Sequence, residues 1–351
     1  MLKFLKKNFS IIFFTIFILI FSYFFWWDYK EFYEKQESKL LEQVELKQSL
    51  ETFSLDKIRE LEYSKIYYTP YKWLLDKIVN KIRKSKKRVY VEVYMLTETR
   101  IKNALIKANK RWIDVKVILE KNPYMAAWIN NKHFDFLKKS WVNVVWSNTS
   151  NFSLNHAKFF IIDDFIIDST GNFTYSTFAF NRDFFIFIED KILLWKFLSI
   201  FKNDFSWNKK MIYETNLVLS PNYSRMKFEK LFENAKNEIN MYFQYFSDKK
   251  LEKLLIKKAK SWVIINAVVS KEFYKNKQEK VKYLEKNWIN IKYLEKYKMH
   301  SKAILIDKKY LFLWSINFSN YSLDANREVW ILLINKKNIE NFLKIFNKDF
   351  Y

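Results

Sequence analysis

HAKFFIID at 156–163, followed by STGNFT at 169–174, and HSKAILID at 300–307, followed by WSINFS at 314–319, are two copies of one pattern. Each copy places a Lys two residues after a His, an Asp five further on, and an Asn about ten beyond that. The chain has three histidines, and two of them lie in these copies. Residues i and i+2 of a strand point to the same face. His156 and Lys158 should therefore project together, as should His300 and Lys302. An imidazole beside an ammonium suits an anionic group: Lys neutralises charge, and His attacks or transfers a proton. Asn172 and Asn317 offer amide donors to phosphate oxygens, and Thr170 and Ser315 can add hydroxyls. Two such sets point to one phosphate-handling site assembled from two halves.

A second matched set follows each Asn by nine residues: NRD at 181–183 and NRE at 326–328. Asp183 and Glu328 occupy equivalent places. A carboxylate there can accept the Nδ1–H of a catalytic imidazole, fixing its tautomer and raising its basicity. Asp163 and Asp307 fall at strand ends and read as structural. His133 lies outside both copies and reads as ordinary helix packing.

Working outward, the whole chain from about 64 onward is an internal repeat. YTPYKWLLDKIVNKIRKSKKRVYVEVYML (68–96) matches LSPNYSRMKFEKLFENAKNEINMYFQYF (219–246). TRIKNALIKANKRWIDVKVILEK (99–121) matches KKLEKLLIKKAKSWVIINAVVSK (249–271). Within the first half, spacing predicts helices over 72–85, 99–111 and 133–140, and strands over 88–96, 113–119, 142–146, 156–163 and 165–169. Strands alternating with helices predict an α/β fold, with sheets flanked by helices. Two such halves would pack about a pseudo-two-fold axis, with the His motifs meeting there.

The pattern H-x-K-x4-D followed by G-S-x-N, present twice, resembles the phospholipase D superfamily over about residues 64–351. The second copy fits closely if Trp314 stands for Gly; the first has Ser169-Thr170-Gly171 where Gly-Ser-x is usual. The resemblance implies two pseudo-symmetric phospholipase D-like halves with the active site at their interface. It also implies a two-step transfer: one His attacks phosphorus to form a phosphohistidine, and the other protonates the leaving alcohol and then activates water or an acceptor alcohol. By that analogy His156 is the nucleophile and His300 the general acid/base, although the near-symmetric halves leave the order open. No metal or other cofactor is expected, because two Lys and two Asn already offset the phosphate charge.

The absence of Cys excludes disulfides and thiolate metal sites. The formal charge of +24 favours anionic partners, nucleic acid or anionic lipid. The excess of Lys over Arg, with abundant Asn, Ile, Phe and Tyr, also fits an A+T-rich gene, so charge does not choose the substrate. One Gly against 13 Trp is abnormal. Trp112, Trp141, Trp262 and Trp288 fall at turns between helical and strand stretches, where a helix end calls for Gly. These Trp are expected to be glycines in the living protein, encoded by UGA in a lineage that reads it as Gly. Trp146 stands in a strand-like context and reads as genuine.

Lys3, Lys6 and Lys7 precede an apolar run at 9–27. Nineteen helical residues would span roughly 28 Å, enough for a bilayer core. The run ends in Tyr-Phe-Phe-Trp-Trp-Asp without a small-residue cleavage site, so an uncleaved anchor is expected. The positive-inside rule places residues 1–8 in the cytoplasm and the catalytic part outside. The expected organisation is an anchor at 1–27, a polar helical stalk at 28–63, and halves at 64–205 and 206–351. The favoured substrate is membrane phospholipid, hydrolysed in phospholipase D fashion. A DNA or RNA nuclease, a cardiolipin synthase-like phosphatidyltransferase and a non-catalytic tethered phosphate binder are the alternatives. No obligate protein partner is implied.

Overall fold

A computed structural model describes residues 53–71, 73–124, 126–208, 212–313 and 318–351. The expected anchor and most of the expected stalk lie outside these residues. Among the described residues no helix is long and apolar enough to cross a membrane.

The alternating stretches of the first half become β1 (Tyr63–Tyr68), β2 (Arg88–Val93), β3 (Asp114–Leu119), β4 (Asn143–Trp146), β5 (Lys158–Ile162), β6 (Phe165–Ser169), β7 (Asn181–Arg182) and β8 (Phe184–Glu189). The second half supplies β9 (Leu217–Ser220), β10 (Glu238–Phe243), β11 (Ile264–Val269), β12 (Ile289–Tyr293), β13 (Lys298–Met299), β14 (Ala303–Ile306), β15 (Tyr310–Leu313) and β16 (Glu328–Leu333). One seven-stranded sheet runs β1-β8-β6-β5-β2-β3-β4. The other, read from its far edge, runs β9-β16-β15-β14-β10-β11-β12, which is the same order element for element.

Local causes recur in both halves. The helix Thr99–Asn109 is capped by Glu98, which accepts from Arg100 N, and it buries Ile101, Ala104, Leu105 and Ala108. Its counterpart Lys249–Lys260 is capped by Asp248, which accepts from Leu251 N, and it buries Leu251, Leu255 and Ala259. The i, i+3, i+4 apolar stripe lies against the sheet in each case. A parallel pair, β2 with β3 and β10 with β11, follows from the helix crossover between them.

The expected stalk boundary at 63 shifts. The compact unit begins at Phe53. Phe53, Leu55 and Ile58 are buried in the core of the second half. Arg59 makes a two-pronged ion pair with Asp190, both contacts at 2.6 Å. The polar composition of this stretch concealed three apolar side chains with a core to enter.

Trp112, Trp128, Trp141, Trp207, Trp262 and Trp288 all have φ between 61° and 67°, in the left-handed region. A side chain there costs roughly 1–2 kcal/mol per residue, which Gly avoids. Their rings gain little in return: Trp112 is 96% exposed, Trp262 93% and Trp141 89%. Trp146 behaves differently, stacking on Phe134 at 3.9 Å from β4. Trp330 is fully buried in β16 beside Phe228.

Candidate active site

The two halves exchange backbone where the motifs meet. β13 pairs in parallel with β7 of the other half, Met299 opposite Arg182. Asn155 bridges to Arg327 in the same way. His156 N donates to Arg327 O at 2.8 Å, and His300 N donates to Arg182 O at 3.2 Å. Neither His is therefore part of the following sheet strand, contrary to the strand expected over 156–163. β5 begins at Lys158 and β14 at Ala303, because the backbone ahead of each is hydrogen-bonded to the opposite half.

That exchange sets each imidazole on the other half's carboxylate. His156 Nδ1 lies 3.0 Å from Glu328 Oε2, and His300 Nδ1 lies 3.0 Å from Asp183 Oδ1. Both carboxylates are fully buried. Burial alone would raise the Asp183 carboxyl, but His300, Lys302 and Thr170 outweigh it and keep Asp183 below its ordinary value, hence ionised. Burial holds His300 below its ordinary value, with Asp183 opposing and Lys302 and Lys158 reinforcing. A neutral imidazole with Nδ1–H on Asp183 leaves Nε2 as the reactive nitrogen.

Lys158 and Lys302 are buried beside the pair. Each donates to the carbonyl of its own motif's His at 2.7 Å, and Lys302 Nζ also lies 3.3 Å from His300 Nε2. Burial pushes Lys158 well below its ordinary value, and Lys302 lowers it further against the pull of Glu328. Burial brings Lys302 to about 8. A further anion arriving there would favour the charged form of both lysines, as Asp183 and Glu328 already do in part.

Asn172 is partly buried, and its amide reaches only the Met95 sulfur, at 3.8 Å. Among the described residues its Oδ1 has no partner. Thr170 departs from the expectation that it serves phosphate. Its hydroxyl is fully buried, donates to Asp183 Oδ1 at 2.8 Å and accepts from Phe184 N at 2.9 Å. Its lone proton is committed to the carboxylate. Ser315 and Asn317 lie outside the described residues. Asp163 and Asp307 sit at the far end of their strands. Asp163 accepts from the backbone N–H groups of Lys86, Lys87 and Arg88, and Asp307 from those of Lys236, Asn237 and Glu238. Each carboxylate thereby ties a β-hairpin turn to the start of β2 or β10. His133 is away from the site, 2.6 Å from Lys102 Nζ, with its pKa lowered to about 4 by burial.

Several residues at the site carried no signal in either motif. Tyr94 packs edge-on against His156 with ring centroids 4.5 Å apart. Asp168, buried near Lys158, is raised well above the carboxylate range by burial. Arg182 makes a paired contact with Asp349 at 2.6 and 3.0 Å, and Arg327 meets Asp204 at 2.5 Å. The Arg in both NRD and NRE was the visible clue; their partners, at the ends of the halves' last long helices, were not. Among the described residues no cluster of three or more His, Cys, Asp or Glu could hold a metal ion.

Two imidazoles, each oriented by a buried carboxylate and flanked by a buried Lys, define an enzyme that manipulates phosphodiesters. The family described as "Cardiolipin synthase, PLD-like domain" matches residues 78–207 and 228–350, and the chain belongs to it, within the phospholipase D superfamily. No curated protein matches the chain. Among solved structures, phosphatidylserine synthase of Haemophilus influenzae aligns with TM-score 0.66 at 11% identity, covering 83% of this chain and 86% of that one. Polyphosphate kinase of Porphyromonas gingivalis aligns with TM-score 0.64 at 15% identity over 81% of this chain, which spans about half of it, 50%. At these identities the likeness is one of fold.

Proposed function

We propose that the protein is a membrane-anchored phospholipase D-type phosphodiesterase that hydrolyses phospholipid head groups. The carrying observation is the crossed pair of His–carboxylate contacts over two buried lysines. In the first step His156 Nε2 attacks phosphorus. An N–P bond forms, the P–O bond to the head-group alcohol breaks, and His300 gives its proton to the leaving oxygen. In the second step His300 takes a proton from water, whose oxygen attacks phosphorus and releases His156. The phosphodiester anion raises the depressed pKa values of His300 and Lys302 on arrival, so substrate binding itself favours the protonated acid that the first step needs.

A lipid substrate is supported by the apolar run at 9–27, which would hold the site near a bilayer. It is also supported by exposed Tyr175, Phe180 and Tyr321, aromatic side chains suited to a membrane interface, on the segments that follow the two Asn. A cleft of about 380 Å³ beside Met299, lined by Lys271, Lys296, Lys298, Glu295 and Tyr297, offers both charges to a head group. The catalytic part would face the outside of the membrane.

The test is the full chain incubated with mixed phospholipid vesicles and, separately, with single-stranded DNA, alongside His156→Ala. Head-group release lost in the variant supports the proposal. DNA cleavage with intact lipid would overturn it in favour of a nuclease, with binding that falls steeply with salt.

A further inference from the structure

Behind each catalytic His lies a buried arm, and the two arms differ at one place. In the His300 arm, Arg182 carries the carbonyl that receives His300 N, and Asp349 grips its guanidinium. The hydroxyl of Tyr242, on β10, donates to Asp349 Oδ2 at 2.9 Å. In the His156 arm, Arg327 carries the carbonyl that receives His156 N, and Asp204 holds its guanidinium. The place of Tyr242 is taken on β2 by Glu92, fully buried. Asn155 donates to Glu92 Oε1 at 2.8 Å, and Asp204 is within hydrogen-bonding reach of Glu92. Among the described residues Glu92 Oε2 and Asp204 Oδ2 are both buried with no donor, and the Arg327 Nε–H of the same arm is buried with no acceptor.

Two carboxylates within hydrogen-bonding reach of each other out of water are untenable unless one carries hydrogen. We propose that Glu92 and Asp204 share one proton, Glu92 acting as the O–H donor that Tyr242 is in the other arm, and that this pair is a positioning device for His156. The positioning half of the proposal rests on the active site proposed above; the shared proton does not. Burial, then Asp204, raises Glu92 well above the carboxylate range, against the opposing pull of Arg327. The neighbouring strand β5 opens with Lys158, and Glu120 accepts from Asn155 N at 2.7 Å. Loss of the proton would set two carboxylates against one guanidinium and pull Arg327, with its carbonyl, away from His156 N. The His300 arm, built on a tyrosine, has no such weakness.

Glu92→Gln, Glu92→Leu and Tyr242→Phe in the full chain test this. The readouts are the infrared carboxylic-acid C=O band at neutral pH and the pH dependence of kcat and KM on a chromogenic phosphodiester. Glu92→Gln keeps a donor to Asp204, so kcat should stay within about 10-fold of the parent, while the alkaline loss due to the pair disappears. Glu92→Leu removes the donor and should lower kcat by about 100-fold with little change in KM. Both should delete a carboxylic-acid band that Tyr242→Phe leaves in place; the buried Asp168 supplies a separate band in all variants. An unchanged band in Glu92→Gln would overturn the shared proton even if the protein had no activity. The band lost but kcat unchanged in Glu92→Leu would overturn the positioning role.

A second inference rests on the backbone alone. We infer that Trp112, Trp128, Trp141, Trp207, Trp262 and Trp288 are glycines in the protein as its own cell makes it, encoded by UGA. Every one has positive φ, and the one Gly of the chain does not. Trp146 and Trp330, with packed rings, are true tryptophans. Peptide masses from the native protein should give Gly at the six positions and Trp at 146 and 330. A Trp mass at the six, or UGG codons there in the gene, would overturn the inference.

Discussion

Replacing Asp183 with Asn should disable the His300 side of the site while leaving the fold intact. Asp183 Oδ1 accepts from Thr170 Oγ1 at 2.8 Å, and the carboxylate lies 3.0 and 3.2 Å from His300 Nδ1. Phe184 N already donates to Thr170 Oγ1, so the threonine hydrogen must point at residue 183. In Asp183→Asn the amide oxygen would stay on Thr170 in the place of Oδ1, still 3.0 Å from His300 Nδ1, while the amide nitrogen, in the place of Oδ2 at 3.2 Å, would set a competing donor there. The substitution thereby stops fixing the imidazole proton on Nδ1. It also removes the negative charge that stabilises the imidazolium. Unit charges about 4 Å apart at an effective dielectric of 20 interact by about 4 kcal/mol, or about 10³-fold in rate. The expected result is a kcat lower by about 10³-fold, with KM and the melting temperature nearly unchanged, measured on a chromogenic phosphodiester. A loss below about 10-fold would refute the reasoning, because the carboxylate would then be neither fixing the tautomer nor stabilising the charge.

Gly171→Ala should strike the same carboxylate from behind. A Cβ there would lie 2.6 Å from Asp183 Cγ and Oδ2, so activity should fall and stability drop by about 1–3 kcal/mol in thermal unfolding. His156→Ala and His300→Ala should each abolish turnover; appreciable residual activity in both would refute the shared site. Lys302 titrates at about 8 instead of 10.5, so phosphate affinity should weaken as pH rises through 8, seen as a rising KM that Lys302→Met no longer displays. The sign for stability is opposite. Between about 8 and 10.5 the unfolded chain binds the extra proton, so this group's contribution to stability should rise with pH across that window, measured by denaturant titration.

The motifs were legible because duplication puts each residue type in register twice. His156, Lys158, His300, Lys302, Asp183 and Glu328 are brought together as that reading requires. What duplication cannot reveal is that the halves trade partners. His300 and Asp183 are 117 residues apart, and nothing local distinguishes that pairing from one between His156 and Asp183 in the same half. Asp204 and Asp349 were illegible for a related reason: each looks like one more charge near a helix end, and only the packed interface gives it an Arg. Residues 53–63 were misjudged because Phe53, Leu55 and Ile58 are too sparse to show a period. The odd placement of Trp112, Trp141, Trp262 and Trp288, by contrast, was visible, since the demand for positive φ is written into the helix-to-strand turns; Trp128 and Trp207, outside such turns, were not.

Trapping the covalent intermediate tests the chemistry most directly. A phosphodiester with an activated leaving group needs no general acid, so His300→Ala should still form the adduct but fail to hydrolyse it. After rapid quenching, peptide mass spectrometry should find an acid-labile phosphoryl adduct on His156 in His300→Ala, and none in His156→Ala. An adduct on His300 in His156→Ala would reverse the two roles and keep the shared site. No adduct on either His, in a parent protein that turns over, would contradict the phosphohistidine route altogether.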